Sequence, residues 1–234
     1  MSLPTEKSKI VESLADYIIL VYGRPKIGKS PFCNNFPNAL FLATEPRLKH
    51  IECYKTDIHN WPDFLNTCGD IAGGKHEYKT IIIDTVDLLV AQCSEYVCKK
   101  YQMEYPGDMP MGKGWYLVTS ELKRALTKLA SLPYGLVMVS HSKQETIETP
   151  TKKFNRWTIN IGGKNGDVVL DMVDIILFMD SAVKDKKEVG LIRTKSSAHW
   201  EGGDGTKRLP TTIEYPIDKP EIAYKQIVEA FKGK

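Results

Sequence analysis

The feature that most constrains this chain is an eight-residue loop joined to a strand. Gly23, Arg24, Pro25, Lys26, Ile27, Gly28, Lys29 and Ser30 follow directly on the apolar run from Tyr17 to Tyr22. The spacing is G-x-x-x-x-G-K-[ST], in which glycines let backbone N–H groups wrap a phosphate and the next helix adds its positive end. Lys29 then bridges the terminal phosphates of a nucleoside triphosphate, and Ser30 offers a hydroxyl to Mg²⁺, a hard cation that takes few protein oxygens and keeps several waters. Pro31 is compatible with the first turn of a helix, where a missing N–H costs no hydrogen bond.

A phosphate loop needs a sheet to carry it, and the rest of the sequence supplies one. Short apolar runs recur at 17–22, 39–43, 80–84, 135–140 and 174–179. Between them, 86–101 and 115–132 carry apolar residues at helical spacing, which implies crossover helices on a buried parallel sheet. After Asp180 the pattern predicts antiparallel strands at 189–194 and 211–215, a turn at 202–205, and a closing helix over 218–231 started by Asp218. The fold class expected is α/β: a mainly parallel sheet flanked by helices, with antiparallel C-terminal strands. The expected organisation is an arm at 1–16, one phosphate-loop domain at 17–217 and a C-terminal helix at 218–234. Two stretches, 102–114 and 141–166, read as loops longer than such a core requires, and long loops in a compact domain are usually functional.

Bulk properties narrow the partners. With 234 residues, 42% of them hydrophobic, the chain can bury one sizeable core, and a net charge of +3 is too small to bind polyanions over the whole surface. Any nucleic-acid affinity must come from a local patch. Apolar runs fall short of the roughly 20 residues of a membrane helix, and no signal-peptide pattern is visible, so the expectation is a cytoplasmic protein without membrane partners. Five scattered cysteines lack zinc spacing and read as reduced structural thiols.

Three side chains at strand ends complete a hydrolytic site on paper. Asp84 ends the run 80–84 and is the expected metal partner of Ser30; its other reading is a cap for the following helix. Thr85, where many ATPases carry the water-activating glutamate, moves that role elsewhere. Glu45, just past the run 39–43, is the candidate, at the sheet edge where open parallel sheets bind ligands; otherwise it is a solvated loop acid. His141 ends the run 135–140 and can sense the terminal phosphate, or be structural. Asp87 reads as a first-turn helix acid.

With these residues in order, the chain resembles the RecA-like P-loop ATPases, and among them the phage AAA-domain proteins of recombination and replication modules, including single-strand annealing ATPases. The likeness spans about 17–195. It implies ATP and Mg²⁺ as cofactors, hydrolysis of the β–γ bond, a homo-oligomeric ring or filament, and recombination or replication proteins as partners in the cytoplasm of a host cell. It also implies DNA binding by two loops. The second of these contains Lys143, Lys152, Lys153, Arg156, Trp157 and Lys164, suited to phosphate neutralisation and base stacking, and readable also as a solvated hairpin. Arg193 and Lys195 match residues that reach a neighbouring subunit's nucleotide, or are surface charges of an exposed strand. The family's sensor is commonly Gln or Asn, where this chain has His141. Two rivals stay open: a nucleotide-gated accessory factor for a replicative helicase, and a small-molecule or nucleoside kinase, for which the widely spaced arginines supply no lid.

Overall fold

Every residue of β1 (Ile18–Gly23) after the first is buried, because this strand lies at the centre of a sheet covered on both faces. The computed structural model describes residue 3 and residues 5–233; residues 1, 2 and 4 of the expected arm, and residue 234 of the expected C-terminal segment, lie outside the described residues. From β1 the chain runs through α1 (Lys29–Cys33), β2 (Ala39–Ala43), β3 (Tyr54–Asp57), α2 (Trp61–Ala72), β4 (Thr80–Asp84), α3 (Val86–Lys100) and α4 (Lys113–Ala130). It continues with β5 (Gly135–Glu148), β6 (Lys153–Ile159), α5 (Gly163–Asp171), β7 (Ile175–Lys184), β8 (Lys187–Arg193), β9 (Gly203–Asp204), β10 (Thr212–Pro216) and α6 (Pro220–Lys232).

The sheet order is β10-β8-β7-β1-β5-β4-β2-β3, with β6 on β5 and β9 on β7. The six strands from β7 to β3 are mutually parallel, while β8, β9 and β10 add antiparallel pairings. This is the α/β arrangement expected: a mainly parallel sheet flanked by helices, with antiparallel C-terminal strands. Side chains alternate between two cores with a period of two. Ile19, Val21, Phe41 and Ile82 face a layer made with Phe32 of α1 and Ile227 and Phe231 of α6. Leu20, Leu42, Ile81 and Ile83 face the opposite layer, with Trp61 and Phe64 of α2, Leu89 of α3 and Leu122 and Leu126 of α4.

Some expectations are corrected. β3 and α2 had no counterpart in the sequence reading: β3 is an exposed edge strand, YKTD, without an apolar run, whereas α2 does carry spaced apolar residues behind an Asn60 cap that accepts from the Asp63 N–H at 2.9 Å. The stretch 141–166 is no open loop; β5 runs on past the sheet to pair antiparallel with β6, and α5 begins at Gly163. Gly203 and Asp204 of the expected turn form β9. The last helix starts after Lys219 with Pro220 in its first position, so Asp218 is not its cap. Leu14 and Ala15, assigned to the arm, are buried against the first core layer.

Candidate nucleotide site

Parallel register brings the ends of four strands to one edge. Gly23 pairs with His141, Ala43 with Asp84, and Asp84 with Val139, so β5, whose parallel pairing stops at His141, lies between the loop-bearing strand and the acidic strand. Ligands bind at this carboxyl edge of open α/β sheets. A cavity of about 530 Å³ opens there, walled by Lys29, Ser30, Glu45, Asp84, Thr85 and His141 among others.

The two loop glycines have different reasons. A Cβ on Gly23 would lie 2.4 Å from the Met179 carbonyl of β7, so close strand packing demands glycine. Gly28 has φ of 99° with nothing near its missing Cβ, so glycine supplies the left-handed backbone and leaves the cradle open. Ile27 is buried and anchors the loop to the core, Lys26 and Pro31 line the cavity, and Arg24 donates to Ser181 Oγ at 3.0 Å.

Lys29 is only 7% exposed, and its Nζ donates to the carbonyls of Gly23 at 2.9 Å and Arg24 at 3.0 Å. Burial pushes its ammonium pKa down, against the pull of the Asp84, Asp87 and Glu45 carboxylates. Ser30 Oγ donates to Asp84 Oδ2 at 2.5 Å. Burial raises the Asp84 carboxyl above the ordinary range; the Ser30 hydrogen bond and Lys29 oppose it. Two adjacent hard oxygens on a cavity floor, one a buried carboxylate short of positive partners, fit a site that would share Mg²⁺ with phosphate and water. Among the described residues, no group of three or more His, Cys, Asp or Glu side chains is set to hold a metal without such help.

Glu45 is placed by a double tie one residue before it. The Thr44 hydroxyl accepts from the Thr85 N–H at 2.8 Å and donates to the Thr85 carbonyl at 3.0 Å, while the Thr44 N–H donates to the Asp84 carbonyl at 2.9 Å. The end of β2 is thus locked to the end of β4. Glu45 projects beyond that lock and pairs with Arg47 at 3.0 Å. On the other side, His141 Nδ1 lies 2.9 Å from Asp87 Oδ2, and its backbone N–H donates to Asp87 Oδ1 at 3.4 Å.

The geometry adds residues that the sequence reading passed over. Arg47, Lys49 and His50 line the cavity on the segment after Glu45; their signal was the basic run RLKH, two residues past the candidate acid. Asp87, read only as a helix acid, holds His141. Its signal was the spacing of three from Asp84.

The residues assigned to DNA divide. Lys143 pairs with Glu145 at 2.8 Å, Lys153 with Glu148, and Arg156 with Glu201 at 2.9 Å. Trp157 is half-buried: its ring lies beside Phe178 with centroids 6.4 Å apart and planes inclined by 29°, and its backbone bonds to His199 and Glu201. Lys152 and Lys164 are exposed and have no ion-pair partner among the described residues. Arg193 is not idle, because it donates to Asp180 from Nε at 3.3 Å and Nη2 at 3.2 Å with its guanidinium 4.1 Å from the Trp200 ring centre. Lys195 is exposed. Neither lines the nucleotide cavity of its own chain.

A glycine-rich loop ahead of a helix, a buried lysine, a Ser–Asp pair and the strand order around them define a P-loop nucleotide-binding protein. The chain belongs to the AAA domain family, whose model matches residues 15–206, a span that contains the whole constellation. A curated relative, the SPbeta prophage-derived uncharacterized protein YorG of Bacillus subtilis (strain 168), is 24% identical over 180 residues, covering 74% of this chain. That alignment covers 54% of the relative, so the chain spans about half its length. Among solved structures, the KaiC-like protein PH0186 of Pyrococcus horikoshii OT3 is 10% identical with a TM-score of 0.47, covering 79% of this chain and 80% of that one. The flagellar accessory protein FlaH of Methanocaldococcus jannaschii is 10% identical with a TM-score of 0.46, covering 86% and 84%. Among the described residues no helix is long and apolar enough to cross a membrane.

Proposed function

We propose that the protein binds ATP with Mg²⁺ in the Gly23–Ser30 cavity, hydrolyses the β–γ bond by direct attack of water, and uses that cycle on single-stranded DNA. The observation that carries the reading is convergence: Lys29, the Ser30–Asp84 pair, Glu45 and His141 come from four strand ends and wall one cavity. In this reading Lys29 leaves the Gly23 and Arg24 carbonyls for the terminal phosphates. Ser30 and Asp84 would hold Mg²⁺, which when bound neutralises phosphate oxygens. Glu45 orients the water; the new bond forms from water oxygen to the γ-phosphorus, the bond from that phosphorus to the bridging oxygen breaks, and the water proton passes to Glu45 or solvent. His141 contacts the phosphoryl group, and Arg47 and Lys49 add positive charge at the mouth.

Support for the DNA half comes from a second cavity of about 1020 Å³ between α3, the start of α4 and the start of α5. Met111, Trp115 and Tyr116 are exposed on its rim, and Lys113 and Lys164 stand beside them without ion-pair partners among the described residues. Exposed aromatics with nearby cations suit a single strand, by stacking and phosphate neutralisation. The prophage origin of the Bacillus relative supports a phage-type recombination or replication setting. Action of Arg193 and Lys195 on a neighbouring subunit requires Arg193 to leave Asp180, so assembly and turnover rise together.

The test is ATP turnover with and without single-stranded DNA at two salt concentrations, for wild type, Lys29→Ala and Glu45→Gln. Turnover lost in both variants and DNA binding that weakens with salt are expected. Unchanged turnover in both variants overturns the catalytic assignment. DNA-independent turnover without salt-sensitive binding overturns the DNA assignment and favours the kinase, whereas nucleotide binding with negligible turnover favours the accessory factor.

A further inference from the structure

His141 is the sensor candidate of the cavity, yet an imidazole at the edge of a sheet can rotate and can carry its proton on either nitrogen. The surroundings remove both freedoms. Asp87 sits in the first turn of α3, one position after the helix start, and both of its carboxylate oxygens are directed at residue 141: Oδ2 at 2.9 Å from ring Nδ1, and Oδ1 at 3.4 Å from the backbone N–H. The two side chains are 11% and 18% exposed, so water competes weakly for either contact. Burial acts to raise the Asp87 carboxyl, but the hydrogen bond with His141 leads the causes that outweigh it, and the carboxyl is held below its usual range. An ionised carboxylate only accepts hydrogen bonds, so ring Nδ1 must be the nitrogen bearing hydrogen. The other ring nitrogen, Nε2, is left for the nucleotide cavity that His141 lines.

We propose that Asp87 is the positioning residue of the site: it fixes the rotamer and tautomer of His141 so that Nε2 is presented to the terminal phosphate. Asp87 touches no nucleotide in this assignment and acts only through the histidine. Asp87 lines the second cavity and His141 the first, so their contact joins a residue of each. The inference rests on the ATPase reading of the first cavity, and its test separates the two.

The kinetic arm is a double-mutant cycle of Asp87→Ala and His141→Ala, with MgADP affinity and thermal unfolding measured for every variant. Asp87→Ala should lower kcat by about as much as His141→Ala, within the roughly 10²- to 10⁴-fold range of a single proton-handling or phosphate-contacting group, with MgADP affinity little changed. The double variant should be no slower than His141→Ala alone, because residues acting as one unit are non-additive. Asp87→Asn, which keeps an acceptor oxygen, should recover part of the rate. Multiplying effects, or a wild-type rate in Asp87→Ala, overturn the proposal. The second arm needs no turnover: ¹⁵N spectra of the His141 ring should show hydrogen on Nδ1 in wild type and a mixture of tautomers in Asp87→Ala. The same Nδ1–H form in both overturns it. A wild type without turnover but with that tautomer change sinks the ATPase reading and leaves the pairing standing.

Discussion

Replacing Asp84 with Asn should make the ligand-free protein more stable and the nucleotide-loaded protein less so. Asp84 is 7% exposed, and burial raises its carboxyl pKa, with the Ser30 hydrogen bond and Lys29 working against that rise. The native state therefore holds the proton more tightly than the unfolded chain does. Its contribution to stability is full below the ordinary carboxylate pKa, declines as pH rises through the raised folded value, and is gone above it. An Asn of the same shape removes the buried charge, whose effective cost is several kcal/mol before its partners are counted. It still accepts from Ser30, though a neutral acceptor gives about 1 kcal/mol where a charged one gives about 1.5–3 kcal/mol, and it forgoes the attraction of Lys29. The net expectation is a gain of about 1 kcal/mol at neutral pH, or about 2–4 °C in a chain of this size. Mg²⁺ with ATP at about 100-fold over Kd should stabilise wild type by about 2.7 kcal/mol and Asp84→Asn by much less, so the melting curves exchange order. The assay is thermal unfolding with and without Mg-nucleotide over the acid-to-neutral range. The reasoning fails if the variant melts below wild type without ligand at neutral pH, or responds to Mg-nucleotide as strongly.

Four further substitutions separate roles within the same molecule. Glu45→Gln should lower kcat by about 10²- to 10⁴-fold while nucleotide affinity, measured by a fluorescent analogue, stays near wild type; a loss of affinity of the same size would assign Glu45 to binding. Thr44→Val leaves the Thr85 N–H and carbonyl without their hydroxyl partner, and should cost about 1–3 kcal/mol in denaturant unfolding together with a drop in turnover; full turnover would show that the lock does not place Glu45. Trp157→Ala should destabilise the fold with DNA affinity retained, whereas Trp115→Ala should leave stability unchanged and weaken single-strand binding by about 1–3 kcal/mol. The opposite pattern in filter binding and unfolding would return the stacking role to Trp157.

How far the sequence could be read depended on whether a residue's role was set by its neighbours in the chain or across the sheet. The phosphate loop is local, and its glycines, lysine and serine stand in the spacing that sheet and helix require. The buried strands were legible because parallel strands covered on both faces are continuous apolar runs. β3 escaped because an edge strand with exposed Tyr54 and Lys55 carries no such run. The β5–β6 ribbon escaped for a related reason: beyond Ser140 its residues leave the core, so alternation fades and only the cross-strand register of Ser142 to Ile159 and onward defines it. Trp157 shows the cost of reading composition alone. Lysines around a tryptophan suggest a nucleic-acid surface, but register turns that ring toward Phe178.

The same limit explains why the sequence separated Asp84 and Asp87, three residues apart, as metal partner and first-turn helix acid, yet gave no sign of the contact between Asp87 and His141. The environments of the two acids push them in opposite directions, and a pair of titratable groups driven apart in this way marks a division of labour. Asp84 is raised by burial that Ser30 and Lys29 only partly offset, so it is a carboxylate short of positive charge on a cavity floor, and its energy falls when a cation arrives. Burial acts to raise Asp87 too, yet the hydrogen bond with His141 leads the causes that reverse the outcome, so it already has a partner and should gain little from a cation. Under the proposed function the first would be the acid that ligand binding changes, and the second the acid that holds its neighbour still. One strand end and one helix turn carry both, since the strand directs Asp84 to the cavity beside α1 while the first turn of α3 directs Asp87 across to β5. A divalent cation added without nucleotide should accordingly alter the titration of Asp84 and leave the Asp87–His141 contact intact, which carboxyl ¹³C spectra of the two residues would resolve.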